Sequence, residues 1–285
     1  MEAITDSTEL PSAAICGALG VCRSAYYAWR TAPPSVREQR DAELTPTVQA
    51  VFWKHRRRYG ARRIAEELQD LGEQCSPRRV AKLLKNQGLR AIQPKSFVPK
   101  TTDSNHRLGY SPNLLLESPE LNGIHQLLVG DITYIPLRLA KFCYLAMLMD
   151  RFSRLIVGWQ LGETMTDELT LGALHKAIRQ RQPPGGAIHH TDRGGQYASV
   201  KYREVLRRAG FRQSMSRADN CYDNAFMESC FGTIKTELEM VDYDHHLTAR
   251  REIAEYVAYY NNQRKHSALG YLTPRQFEAA LAPRK

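Results

Sequence analysis

Three acids stand where apolar patterning and turn chemistry would not place them. Asp131 interrupts the apolar run Leu128-Val129-Gly130-Asp131-Ile132-Thr133-Tyr134-Ile135. A charge there is costly to bury unless it is paired or holds a cation. Asp192 lies in His189-His190-Thr191-Asp192-Arg193-Gly194-Gly195-Gln196-Tyr197, after a short strand, where the glycines permit a sharp turn. Glu228 belongs to Asp223-Asn224-Ala225-Phe226-Met227-Glu228-Ser229-Cys230-Phe231-Gly232-Thr233-Ile234-Lys235. On a helix Asn224, Glu228 and Lys235 share one face, while Phe226 and Ile234 look elsewhere. Carboxylates from two strands and a helix suit two hard divalent cations. Mg²⁺ keeps water positions open for substrate phosphates, and a pair about 3.5–4 Å apart suits in-line phosphoryl displacement. Taken singly, a lone Asp in a strand is more often a bulge or turn residue, and Glu228 alone reads as an ordinary surface acid. His189 and His190 lack a Cys partner at ligand spacing and read as structural.

Positioning these acids requires a sheet. The sequence predicts strands over 126–137, 142–149 and 155–161, then a helix over 167–181 carrying Leu169, Leu171, Leu174 and Ile178. Pro183-Pro184-Gly185-Gly186 stops it. A short strand at 187–190 and a helix over 200–209 follow. Three successive strands, then alternating helix and strand, give an α/β fold with a mixed sheet flanked by helices. That order is the order of a ribonuclease H-like fold. Near the end, a helix with Ile253, Tyr256, Val257 and Tyr260 precedes the polar run Asn261-Asn262-Gln263-Arg264-Lys265-His266. That run looks too polar for an interior, so Arg264 and Lys265 are expected to project toward a polyanion beside the acids.

The N-terminal third reads as helices. Ile64, Leu68 and Leu71 form an i, i+4, i+7 stripe closed by Gly72; Ser76-Pro77 opens a second helix with Val80, Leu83 and Leu84, closed by Gly88. Arg78, Arg79 and Lys82 fall on its outer side, a helix-turn-helix pattern in which these side chains meet DNA. Residues 14–29 hold another candidate, with Leu19, Val21, Tyr26 and Trp29 as its core. Pro94, Pro99, Pro112 and Pro119 mark a linker. The expected organisation is a helical segment with a possible helix-turn-helix over 1–45, a helix-turn-helix domain over 46–92, a linker over 93–122, and a catalytic core with C-terminal helices over 123–285.

Charge agrees with a nucleic-acid partner. The chain of 285 residues has 40 Lys/Arg against 30 Asp/Glu, a net +10. Residues 1–110 alone hold 18 basic and 11 acidic side chains, a net +7. No apolar run reaches the ~18–20 residues of a membrane span. The opening MEAITDSTEL lacks the basic and apolar regions of a secretion signal, so a cytoplasmic protein is expected. The 6 cysteines form no C-x-x-C pair and are expected to be packed or idle thiols.

Taken together, the motifs resemble a known family. Asp131, Asp192 and Glu228, with 35 residues between the last two, match the D,D(35)E signature of integrases and DDE transposases. GDITYI, HTDRGGQYAS and SMSRADNCYDNAFMESCFGTIKTE resemble the insertion-sequence-three family of bacterial transposases, as do Tyr59-Gly60-Ala61-Arg62-Arg63-Ile64 and the run from Tyr259 to Pro274. The resemblance covers residues 12–280 and points to the second-reading-frame protein of such elements. It implies a retroviral integrase-type core cleaving and joining DNA with two Mg²⁺ or Mn²⁺ ions. One ion would be held by Asp131 and Asp192, the other by Asp131 and Glu228. It implies that Lys235, seven after Glu228, meets DNA. It also implies element terminal repeats and target DNA as partners, the upstream-frame protein as fusion or partner, a homo-oligomer on DNA, and a nucleoid-associated location. A nuclease on the same fold would cut without joining; a DNA-binding regulator would need only the N-terminal helices.

Overall fold

The computed structural model describes residues 11–93, 109–116, 120–138, 141–217, 225–239 and 243–281. The helical part comprises α1 (Ser12–Ala18), α2 (Arg23–Thr31), α3 (Val36–Lys54), α4 (Ala61–Asp70) and α5 (Pro77–Asn86). Local signals set these ends. Ser35 and Glu38 form a reciprocal capping box at the start of α3. Ser76 Oγ accepts the Arg79 N–H at 3.3 Å, with Pro77 at the first helical position of α5. Gly72 and Gly88 take φ of +83° and +64° after α4 and α5, where a side chain would be strained. The helix α3 runs through Pro46, so the expected boundary between 45 and 46 falls inside one element.

Of the earlier helix pair, α1 and α2, only part of the expected core is inside. Tyr26 is buried, but Leu19 and Trp29 are exposed; Ile15 and Cys16 fill the place expected for them.

The second part begins with β1 (Leu127–Leu137), β2 (Lys141–Asp150) and β3 (Ile156–Gly162). There follow α6 (Asp167–Arg181), β4 (Ile188–Thr191), α7 (Gly195–Ala198), α8 (Val200–Arg208) and β5 (Arg212–Met215). Then come α9 (Ala225–Glu237), α10 (His246–Asn262), a 3₁₀ turn at Ser267–Leu269, and α11 (Pro274–Leu281). The described strands form one sheet in the order β3-β2-β1-β4-β5. β1, β2 and β3 are antiparallel neighbours; β4 is parallel to β1, and β5 to β4. This is the mixed α/β sheet expected from the strand order, and the core is ribonuclease H-like. β5 escaped the sequence because four residues, Arg212 exposed among them, carry no clear period.

Alternation along β1 sends its side chains into two cores. Leu128 joins Leu148, Val157, Leu174 and Tyr202 beneath α6 and α8. Leu127, Val129 and Ile135 join Phe231 and Ile253 from α9 and α10, and the same cluster continues into Phe52, Ile64 and Leu83 of the helical part. Helical region and sheet therefore share one apolar core. The described end of the expected linker is also packed. Leu114 and Leu115 lie against that core, and Leu114 N–H donates to Ser214 Oγ at 3.0 Å beside β5.

Candidate active site

The strand register brings the two aspartates together. β4 pairs with β1 so that Val129 lies opposite His190; that register, carried two residues on past the end of β4, puts Asp192 level with Asp131, whose carboxyl feels its charge. Both are half-buried. Asp131 Oδ1 accepts the Ile132 N–H at 2.8 Å, and Asp192 Oδ1 accepts the Gly194 N–H at 3.0 Å. A Cβ on Gly194 would stand 3.1 Å from that Asp192 oxygen and 3.0 Å from Gln196 Oε1, so a larger residue there would press on the aspartate. Arg193 ties the loop down: its Nε donates to Ser216 O at 2.7 Å and its guanidinium lies 4.6 Å from the Tyr110 ring.

Charge at this spot is unfavourable without a cation. Burial, then the neighbouring Asp192, push the Asp131 carboxyl well above the usual carboxylate range, and Glu228 adds to the effect. The Ile132 N–H and Lys235 oppose it. Tyr197, buried on α7, is held neutral by burial and by the same two aspartates. Hard oxygen donors that repel one another in a half-buried site fit a divalent cation, which would remove the repulsion.

Glu228 lies in the first turn of α9, exposed, while Met227, Cys230, Phe231 and Ile234 of that helix are buried. Seven residues on, Lys235 shares its side, with its Nζ 4.2 Å from the centre of the Tyr134 ring. Burial lowers the Lys235 pKa and Asp131 acts against that, so the ammonium lies within the field of Asp131. At the start of α9, Arg151 and Arg154 stand 4.1 and 4.7 Å from the Phe226 ring. Among the described residues no three His, Cys, Asp or Glu side chains stand together at metal-ligand spacing. Asn224 lies outside the described residues.

Several sequence expectations are corrected. Arg264 and Lys265 do not project: they are 4% and 5% exposed. Arg264 grips Glu237, with Nη2–Oε1 at 2.7 Å, and Lys265 Nζ reaches Asp70 Oδ2 at 2.6 Å. Polarity was a poor guide because each charge has a buried or near partner from a distant element. On α5, Arg78 is exposed as expected, but Arg79 Nε donates to Asp41 Oδ1 of α3 at 2.5 Å and its Nη2 to Arg37 O at 3.4 Å. Lys82 is exposed and stands 3.7 Å from the same carboxylate. Arg79 is therefore a strut between helices. His189 and His190 are buried and held in place, His189 Nε2 by Tyr202 Oη at 2.8 Å and His190 Nδ1 by Ser214 Oγ at 2.8 Å.

Sequence reasoning missed Tyr134, Arg151, Arg154 and Tyr197 as neighbours of this site. Tyr134, three after Asp131, and Tyr197, five after Asp192, lay within the quoted motifs; the arginines reach α9 only through the β2–β3 turn.

Comparison with known proteins adds three matches to family models. A model described as integrase core domain matches residues 122–221, a second of that description matches 209–274, and an HTH-like domain matches 38–97. The chain is 41% identical over 265 residues to the uncharacterized 31 kDa protein of insertion element IS600 from Shigella sonnei, covering 92% of this chain and 97% of that one. It is 38% identical over 271 residues to transposase InsF for insertion sequence IS3A from Escherichia coli (strain K12), covering 93% of each. Among solved structures it is similar to the HTLV-2 integrase catalytic core domain in complex with magnesium, at 16% identity and a TM-score of 0.40 over 54% of this chain and 97% of that one.

Proposed function

The chain belongs to the insertion-sequence-three family of transposases, DNA strand-transfer enzymes with an integrase core and a helix-turn-helix-like region, and we propose that Asp131, Asp192 and Glu228 are its catalytic carboxylates. The supporting observation is the β1–β4 register, which sets two half-buried acids side by side with their charges in conflict. Divalent metal is the cofactor class of the integrase core. The finer assignment proposed here is two Mg²⁺ or Mn²⁺ ions, one between Asp131 and Asp192 and one between Asp131 and Glu228. Bound there, they would supply Lewis acidity to the attacking and leaving oxygens of a phosphodiester.

The protein's own residues orient the reactants. Ile132 N–H and Gly194 N–H each fix one carboxylate oxygen, and so the orientation of each aspartate. Lys235, Arg151 and Arg154 supply positive charge around α9 for the DNA backbone. Water attacks the phosphodiester at the element end, the P–O3′ bond breaks, and the strand keeps a free 3′-hydroxyl. That hydroxyl then attacks a target phosphodiester, forming one P–O bond as another breaks. No serine or tyrosine ester to DNA is needed.

DNA is the substrate. Element terminal repeats as the ends recognised, an upstream-frame protein as fusion or partner, a homo-oligomer on DNA, and a nucleoid-associated place in the bacterial cytoplasm complete the proposal. Among the described residues no helix is long and apolar enough to cross a membrane. A division of labour between the helix-turn-helix region and the sheet is proposed, DNA-end contact by Arg78 and Lys82 of the helical region and chemistry by the acids of 123–285. Cleavage and joining of a labelled element end with Mg²⁺ tests it. Wild-type protein should yield both products and Asp192→Asn neither; cutting without joining would make the chain a nuclease.

A further inference from the structure

Glu228 and Glu237 sit nine residues apart on α9. At ~100° per residue that is half a turn out of phase, and at 1.5 Å per residue about 13 Å along the axis. Glu228 is accordingly exposed and Glu237 is 7% exposed. A carboxylate so buried must be neutralised and hydrogen-bonded. Arg264 donates to both of its oxygens, Nη2 to Oε1 at 2.7 Å and Nε to Oε1 and Oε2 at 2.9 and 3.0 Å. Tyr256 Oη donates to Oε2 at 2.9 Å. From the helical region, Arg63 Nη1 stands 3.9 Å from Oε1, and Arg58 Nε donates to the Glu237 carbonyl at 3.2 Å.

The segment behind this carboxylate faces two ways. Arg264 holds the acid of α9, while the next residue, Lys265, is bound by the helical region. Its N–H donates to Tyr59 Oη at 2.7 Å, its Nζ donates to Glu66 O at 3.0 Å, and its carbonyl accepts Arg63 Nε at 3.1 Å. The rest of the inner face of α9 is apolar: Met227, Cys230, Phe231 and Ile234. Apolar packing chooses which face turns inward but is non-directional, so it tolerates rotation and slide. A rotation of ~20° would move a carboxylate on the helix rim by about 2 Å, a full Mg–O bond length.

We propose that Glu237 is a positioning residue for Glu228: the Glu237–Arg264 pair, braced by Arg58 and Arg63, fixes the rotation and axial place of α9, so that docking of the helix-turn-helix region sets where the third carboxylate stands. This rests on the assignment of Glu228 to the active site.

The test uses full-length chain and the double variant Glu237→Met/Arg264→Met, which replaces a buried ion pair by apolar volume and so can keep the fold. Melting temperature, affinity for an element-end duplex, Mn²⁺ affinity by calorimetry and strand transfer are measured together. The expected result is a folded protein with duplex affinity within about twofold of wild type, and both Mn²⁺ affinity and Mg²⁺-driven transfer down by about tenfold or more, as for other supports of metal ligands. Transfer should recover in part with Mn²⁺. A folded double variant with wild-type Mn²⁺ affinity and transfer overturns the proposal. Should it not fold, Tyr256→Phe decides, since it removes one hydrogen bond only. Transfer lower by about two- to tenfold with unchanged duplex affinity supports positioning, and unchanged transfer overturns it. Glu228→Gln is run alongside. If it retains transfer, the active-site assignment falls; if it is inactive while the double variant behaves as wild type, only the positioning role falls.

Discussion

Lys265 reaches across 195 residues of sequence to Asp70: its ammonium lies 2.6 Å from the carboxylate at the end of α4, and the same nitrogen donates to the Glu66 carbonyl. The last polar run before the 3₁₀ turn is thereby part of the seam between the helical region and the sheet. Five outcomes follow from this seam and from the acids beside it.

Lys265→Ala should lower stability by about 1–2 kcal/mol, the scale of lost hydrogen bonds at a buried group. Asp70 is 62% exposed, so solvent screens its end of the pair, and most of the loss comes from the Glu66 carbonyl and from packing. Urea denaturation measures it. Duplex affinity should stay at the wild-type value; a weakened affinity with normal stability would return Lys265 to the DNA surface.

Asp131→Asn should abolish cleavage and joining yet raise the melting temperature in metal-free buffer. Burial and Asp192 disfavour the Asp131 charge, so its folded pKa lies above its unfolded one and the ionised form costs stability at neutral pH. A gain of ~1 kcal/mol is about 2–4 °C for a chain of this size. Adding Mg²⁺ should raise the wild-type melting temperature and leave that of the variant unmoved. Calorimetric scans with and without metal check both.

Acid should destabilise the fold from about pH 6.5 downward. Burial holds His189 at about 3; burial and then Arg264 hold His266 at about 2. Both folded pKa values are depressed, so their stabilisation is complete above the unfolded value of ~6.5 and is lost as pH falls toward the folded values. Each contributes up to about 1.4 kcal/mol per pH unit in that window. His266→Gln should flatten the fall measured by denaturation at pH 7, 6 and 5; an unchanged slope would mean His266 protonates in place.

Arg78→Ala and Arg79→Ala should separate binding from bracing. Arg78 is exposed, so losing it should reduce the salt dependence of duplex binding by about one unit of slope. Arg79 is bound to Asp41, so losing it should leave the slope and cost about 1 kcal/mol. Anisotropy titrations over a salt series, with melting curves, distinguish the two.

Lys235→Ala should reduce strand transfer at a melting temperature within the small range of surface changes, since its ammonium lies over Tyr134 beside the aspartates. Unfolding several degrees early with normal specific activity would make it a packing residue.

What the sequence determined by itself lies in short-range signals. Asp131 within an apolar strand announced itself by conflict with local pattern; Asp192 after a strand end and Glu228 seven before Lys235 stood out through the combined motif. The cap at Ser76 and the closing Gly72 and Gly88 are legible because a helix end is settled by residues within one turn of it. The strands of 127–137, 141–150 and 156–162 were readable for the same reason: side-chain alternation and apolar runs are local.

Tertiary structure alone decided which charges are interior. Arg264 finds Glu237 27 residues earlier, Lys265 finds Asp70, and Arg79 finds Asp41 38 residues away, none at a spacing that a helix or strand period encodes. A lone Arg in a polar run carries the same local signature whether it faces DNA or a buried carboxylate. The difference is the free energy of desolvating the pair against the bonds it makes, and that depends on which elements the fold brings together. The adjacency of Asp131 and Asp192 is of this second kind as well: their residue types were visible, but only the parallel pairing of β4 with β1 made them neighbours.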